Sequence, residues 1–118
     1  MQLTKERAIT LHRRMWRWIG LKTLKEKRCV EKDEWFKRFK LNSIACECYC
    51  CEYAYQLTPH PNWNAAKCDY CPIDWGNTPC HDTKALYTLW GHKRAMKNWQ
   101  EAGKLALQIA ELPEREET

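Results

Sequence analysis

No stretch of this sequence approaches the run of about 18 apolar residues that a membrane-spanning helix needs, so no segment is expected to cross a bilayer. Its opening residues, MQLTKERAITLHRR, contain no uninterrupted apolar core of the kind a secretory signal carries. A cytoplasmic location is therefore expected. The chain is also short of catalytic signatures. H-E-x-x-H, G-x-S-x-G and the P-loop pattern are absent. None of the four histidines has a glutamate two residues later, and Pro79-Cys80 is not followed by a cysteine three positions on, which excludes the zinc-deaminase signature. A zinc nuclease with His81 or His92 as base is the one enzyme reading kept open, and a non-enzyme is expected. Strand signals are weak throughout.

What the chain does have is cysteine. Seven of its eight cysteines fall between Cys46 and Cys80. Two C-x-x-C pairs, Cys48/Cys51 and Cys68/Cys71, are separated by 16 residues, the spacing of a structural zinc site. Two knuckles deliver four thiolates to a tetrahedral ion, and backbone amides within each knuckle soften the repulsion between sulfurs. Cys48, Cys51, Cys68 and Cys71 are the primary ligand candidates, with Cys80, Cys46, Cys50 and His81 as alternates. In a reducing cytosol such clusters bind metal more often than they form disulfides. An iron–sulfur cluster is the competing reading, since Cys71-Pro72 resembles the Cys-Pro of some ferredoxins, but the compact C-x-x-C-x-x-C run is missing. Cys29, outside the window, reads as a small buried hydrophobe.

The remainder reads as helix. Thr4 can cap an amphipathic helix over residues 4 to about 19, with Ala8, Leu11, Met15, Trp18 and Ile19 at helical spacing and Gly20 as a stop or bend. A second helical stretch is expected from about Thr23 to Phe39, with Asp33 and Glu34 as the start of a separate short helix if it breaks near Cys29–Lys32. One short helix is expected at Glu52–Leu57. From an N-cap at Asp82 or Thr83, a long helix to about Leu112 carries the apolar positions Leu86, Leu89, Trp90, Met96, Trp99, Ala102, Ala106, Ile109 and Ala110. Gly91 and Gly103 within it mark a bend or a close approach by another element. Pro113 ends it.

Charge is distributed unevenly. Residues 1–45 hold 13 Lys/Arg against 5 Asp/Glu, whereas residues 46–82 hold one Lys against five acids. His12, Arg13, Arg14, Arg17, Lys22, Lys25, Lys27 and Arg28 make a basic segment able to contact phosphates, with Arg13, Arg14, Arg17, Lys22, Lys25 and Arg28 as the binding candidates, although a bend at Gly20 would point its two halves apart. Seven tryptophans add large rigid apolar surfaces. Trp18, Trp35, Trp90 and Trp99 fit core stripes. Trp63 and Trp75 lie in polar loops and are candidates to cover the metal or anchor a partner.

The order C-x-x-C-E-Y (Cys48 to Tyr53), C-x-x-C-P-I-x-W (Cys68 to Trp75), Cys80, Tyr87, Trp90 and I-A-E-L-P-E-R (Ile109 to Arg115) resembles small cysteine-rich phage and prophage proteins of Gram-positive bacteria. The resemblance covers roughly residues 45–115 and excludes the N-terminal third. It implies a zinc-stabilised phage accessory protein and carries no catalytic residues.

Together these readings predict a mainly α, single-domain protein. Residues 1–42 are a basic helical segment, 43–82 a loop-rich zinc-knuckle module, 83–112 a long helix packing back over both, and 113–118 a frayed tail. The expected function is non-enzymatic binding that inhibits or redirects a host protein or nucleoprotein complex, host-defence (CRISPR-type) complexes being a target class the phage resemblance implies. A nucleic-acid-binding regulator using the basic segment is the alternative.

Overall fold

The computed structural model describes residues 4–39, 49–57, 71–75 and 85–114, with the side chains of Cys51, Glu52, Tyr55 and Gln56 outside that description. Five helices lie within it: α1 Lys5–Glu26, α2 Lys32–Phe39, α3 Tyr49–Leu57, α4 Leu86–Ala95 and α5 Trp99–Ala110. The only strand-like pairing among the described residues is an isolated antiparallel bridge between Ile73 and Glu114.

The first helix starts where the sequence places it. Thr4 Oγ1 accepts from Arg7 N at 3.1 Å, and Glu6 stands in the first turn, where the helix dipole favours an anion. It does not stop or bend at Gly20. It continues to Glu26 and ends at Lys27, which is left-handed (φ 58°) with its N–H bonded to Thr23 O at 2.9 Å. Lysine at this position costs about 1 kcal/mol that glycine would not. Three contacts fasten the turn. Val30 N donates to the buried Thr23 Oγ1 at 3.2 Å. Arg28 donates to Glu34 through both terminal nitrogens at 3.0 and 2.7 Å. Glu34 also reaches back to accept from Glu31 N at 2.9 Å, the N-terminal half of a capping box for α2. The stretch expected over Thr23–Phe39 is therefore the end of α1 plus a separate α2, with Asp33 and Glu34 in the first turn of α2.

The reason α1 passes through Gly20 lies on α5. The two helices run antiparallel: His12 meets Ile109, while Gly20 meets Leu107 and Gly103. A Cβ on Gly20 would fall 3.0 Å from Gly103 O, and a Cβ on Gly103 3.4 Å from Gly20 O. The two glycines let the backbones touch, and Ala102, Ala106 and Ala110 extend the same small-residue face of α5. Gly103 thus marks a close approach, one of the two roles its sequence context allowed. Gly91 has no heavy atom within 4 Å of an added Cβ and neither bends α4 nor packs closely.

The expected long helix over 83–112 is two helices. Met96–Asn98 interrupts it, with Lys97 left-handed at φ 59°. Asn98 N bonds back to Lys93 O at 2.9 Å. Asn98 then caps α5 by accepting from Glu101 N at 3.2 Å. The N-cap of α4 is Ala85, with no side-chain bond, and not Asp82 or Thr83. Leu89 and Met96, assigned to the apolar stripe, are 36% and 68% exposed. The stripe was two shorter stripes laid end to end. Nor is the start of the tail frayed: Asp74 N donates to Pro113 O at 3.0 Å beside the Ile73–Glu114 bridge, which fastens residues 71–75 to the end of the chain.

The core gathers Ile9, Leu11, Met15, Trp16 and Ile19 of α1 with Ala102, Ala106, Ile109 and Ala110 of α5, Trp90 of α4, Tyr49 and Cys50 of α3, and Trp35 of α2. Besides α5, α1 packs on α2 and α3, and α4 packs on α5. The first helix is the axle of the fold.

Candidate functional site

Continuity of α1 changes the geometry of the basic segment. At 100° per residue, Arg7, Thr10, Arg14, Arg17, Leu21 and Lys25 share a sector of about 80°, and the line from Arg7 to Lys25 is about 27 Å long. All six are exposed. Neither acid of the helix, Glu6 or Glu26, falls in that sector. Arg7, Arg14, Arg17 and Lys25 make no ion pair among the described residues.

The other basic candidates are already engaged. Arg13 is half-buried and donates to Leu112 O at 3.3 Å. Lys22 pairs with Glu26 at 3.4 Å and lies 4.9 Å from the Trp18 ring centroid. Arg28 is held by Glu34 and Glu26, which raise its pKa further above the ordinary arginine range. Of the six predicted basic residues, Arg14, Arg17 and Lys25 face outward together. Arg7, which was not singled out, joins them because it lies two turns before Arg14 on the same face.

The cysteine candidates divide by position. Cys46, Cys48, Cys68, Cys80 and His81 lie outside the described residues, as does Trp63, and Cys51 is on α3 with its side chain undescribed. Cys50 is fully buried on α3, and Cys71 is 8% exposed where it joins the core cluster. Among the described residues no group of three or more His, Cys, Asp or Glu side chains is placed to hold a metal. Cys29 is half-buried against the core and in no disulfide, and burial pushes its thiol pKa up, with Glu31 adding to the effect.

Trp75 turns inward rather than outward. Its ring meets His12 edge-on at 5.9 Å and Tyr87 at 6.5 Å, so it fastens the segment after Cys71 to α1 and α4. His12, expected in the basic segment, is instead part of the core. It is fully buried, and because a carbonyl can only accept, Nε2 donates to Ile109 O at 3.4 Å. Its Nδ1, together with the indole nitrogens of Trp16 and Trp75, is buried with no hydrogen-bond partner among the described residues. Each buried polar group left unpaired costs about 1–3 kcal/mol. The fourth ring of this cluster, Tyr87, accepts from Lys32 Nζ at 2.6 Å and stacks on Trp90 with planes 14° apart. The signal for His12 was available: it is one turn before Trp16 and one residue after Leu11, within the apolar stripe.

None of the helices among the described residues is long and apolar enough to cross a membrane. No protein family, curated protein or solved structure matches this chain.

Proposed function

We propose that this chain is a non-enzymatic binding module that contacts nucleic acid, alone or within a nucleoprotein complex, through the exposed face of α1. The observation that supports this is the burial of Gly20 against α5, across which α1 runs unbroken from Lys5 to Glu26 and lines up Arg7, Arg14, Arg17 and Lys25 with no acid among them. Phosphate contacts need positive charge along one line, and such a line releases counterions on binding. Four phosphate contacts give a slope of log affinity against log salt of about −3.6 on duplex DNA, a loss of roughly 100-fold between 50 and 200 mM salt.

Fluorescence anisotropy with labelled duplex and single-stranded DNA and RNA across that salt range tests the reading. The double variant Arg14→Glu/Arg17→Glu is expected to abolish binding, while Lys104→Gln, on the exposed side of α5, leaves it unchanged. Affinity that ignores salt, or a double variant that binds like the parent, overturns it.

A second reading, docking on an acidic protein surface, is favoured by Leu21, which is 56% exposed in the middle of the basic line and offers an apolar contact that phosphates do not use. In that case Leu21→Ser weakens partner binding while DNA and RNA show none. Inhibition of a host defence complex rests on the phage resemblance alone. The cysteine segment is proposed as a structural zinc clamp through Cys48, Cys51, Cys68 and Cys71. Burial of Cys71 beside Ile73, in a segment tied to α1 by Trp75 and to the chain end by Asp74, supports a role in holding the fold together.

A further inference from the structure

Three buried polar atoms without a partner sit on side chains linked through ring contacts. His12 and Trp16 are one helical turn apart on the buried side of α1. Trp75 closes on His12 at 5.9 Å, Tyr87 closes on Trp75 at 6.5 Å, and Trp16 closes on Tyr87 at 5.9 Å. His12, Trp75, Tyr87 and Trp16 follow one another in ring contact, with the two ends one turn apart on α1, and three of them carry an unpaired polar atom: His12 Nδ1, Trp16 Nε1 and Trp75 Nε1. His12 and Trp16 are 0% and 1% exposed, so bulk solvent does not satisfy their polar atoms.

The donor and acceptor count identifies the occupant. Each indole nitrogen is a donor only. His12 Nε2 spends its proton on Ile109 O, so neutral His12 presents an acceptor lone pair at Nδ1. Two donors and one acceptor match one water, whose oxygen accepts twice and which still has a proton to give. A buried water typically makes about three such bonds. An anion would place negative charge against the Nδ1 lone pair. A cation would meet two N–H groups. We propose that a single water molecule is a structural part of this fold, accepting from Trp16 Nε1 and Trp75 Nε1 and donating to His12 Nδ1. It joins the segment after Cys71 to α1 and fixes the His12 tautomer with the proton on Nε2.

The test is made on the full-length wild-type protein, by water–protein cross-relaxation NMR and by a crystal structure at a resolution that shows ordered solvent. The expected result is long-lived water cross-peaks to the indole Nε1 protons of both Trp16 and Trp75, an unprotonated Nδ1 signal for His12, and one water within hydrogen-bond distance of all three atoms. Trp75→Phe then weakens the Trp16 cross-peak by shortening the water's residence. If that variant does not fold, the wild-type spectra and crystal structure decide the matter. Indole protons without water cross-peaks, separate waters on each atom, side chains from elsewhere in the chain bonded to the three atoms, or an anomalously scattering ion at the site would each overturn the proposal.

Discussion

Replacing the three helical glycines by alanine, one at a time, separates the contributions of propensity and packing in this fold. In a helix interior the change by itself gains about 1 kcal/mol. At Gly91 an added Cβ meets nothing within 4 Å, so most of that gain survives. At Gly103 the Cβ falls 2.7 Å from Leu24 Cγ and Cδ2, a half-buried side chain with room to rotate. An off-rotamer shift of Leu24 costs about 0.5–1.5 kcal/mol, which cancels the gain. At Gly20 the Cβ meets Leu107 at 2.7 Å and also the carbonyl oxygen of Gly103 at 3.0 Å. The leucine can move, but the oxygen moves only if α1 and α5 separate. Overpacking costs about 1–3 kcal/mol, and with a backbone oxygen as well as a side chain in the way Gly20 falls in the upper half of that range, about 2–3, leaving a net loss of about 1–2 kcal/mol after the propensity gain. At roughly 4 °C per kcal/mol for a chain of this size, calorimetry is expected to find Gly91→Ala raised by about 3 °C, Gly103→Ala near the parent and Gly20→Ala lowered by about 4–8 °C. A Gly20→Ala protein that melts with or above the parent would refute backbone contact between α1 and α5. The basic face of α1 would then lack its packing support.

Thr23→Val keeps the shape of a buried residue but strands the amide of Val30, now bonded at 3.2 Å, and is expected to cost about 1–3 kcal/mol in urea unfolding. A loss below a few tenths would mean the bond contributes nothing. The Arg28 guanidinium, and secondarily the Glu31 amide, holds the Glu34 carboxyl below the ordinary glutamate range. A depressed carboxylate stabilises the fold above its unfolded pKa and loses that contribution as pH falls through the lower folded value. The stabilities of parent and Arg28→Gln should therefore differ near neutral pH, by no more than about 1 kcal/mol for so exposed a pair, and converge as pH falls through the depressed folded value of the carboxyl. A gap that persists in acid would refute the assignment. Chelation of the proposed zinc is expected to lower the melting temperature substantially, since site formation and folding are coupled. Because Cys71 is buried, Cys71→Ser would destabilise even a metal-free core, so the chelator and not the variant is decisive, and an unchanged melt after chelation rejects zinc.

How much was legible in the sequence varies by element. Thr4, with Glu6 in the first turn, announced α1 because capping is local: the residues that satisfy the first amides are the ones beside them. Trp35 and Trp90 read correctly as core because large apolar rings at helical spacing have one favourable place to go. The break at Met96–Asn98 was also written in local residues, with Asn98 and Glu101 in capping positions, but the apolar periodicity ran across it. A 3.6-residue pattern does not distinguish one helix from two successive helices. The cysteine spacing carries its zinc reading from sequence alone.

The amino-acid sequence by itself determined the helical class, the first cap, the core places of Trp35 and Trp90 and the excess of positive charge before residue 45, all of which depend on neighbours within a turn or two. Only the tertiary structure decided what Gly20, His12 and Trp75 do. A glycine in a helix reads as a breaker unless a second helix lies against it, and Gly103 supplies that second helix. His12 finds its carbonyl partner 97 residues away at Ile109, and Trp75 is turned inward by the same crossing. Such contacts are set by packing between segments distant in the chain, and no local pattern records them. Because α1 runs unbroken across that contact, Arg14, Arg17 and Lys25, which sequence alone divided at Gly20, share one face.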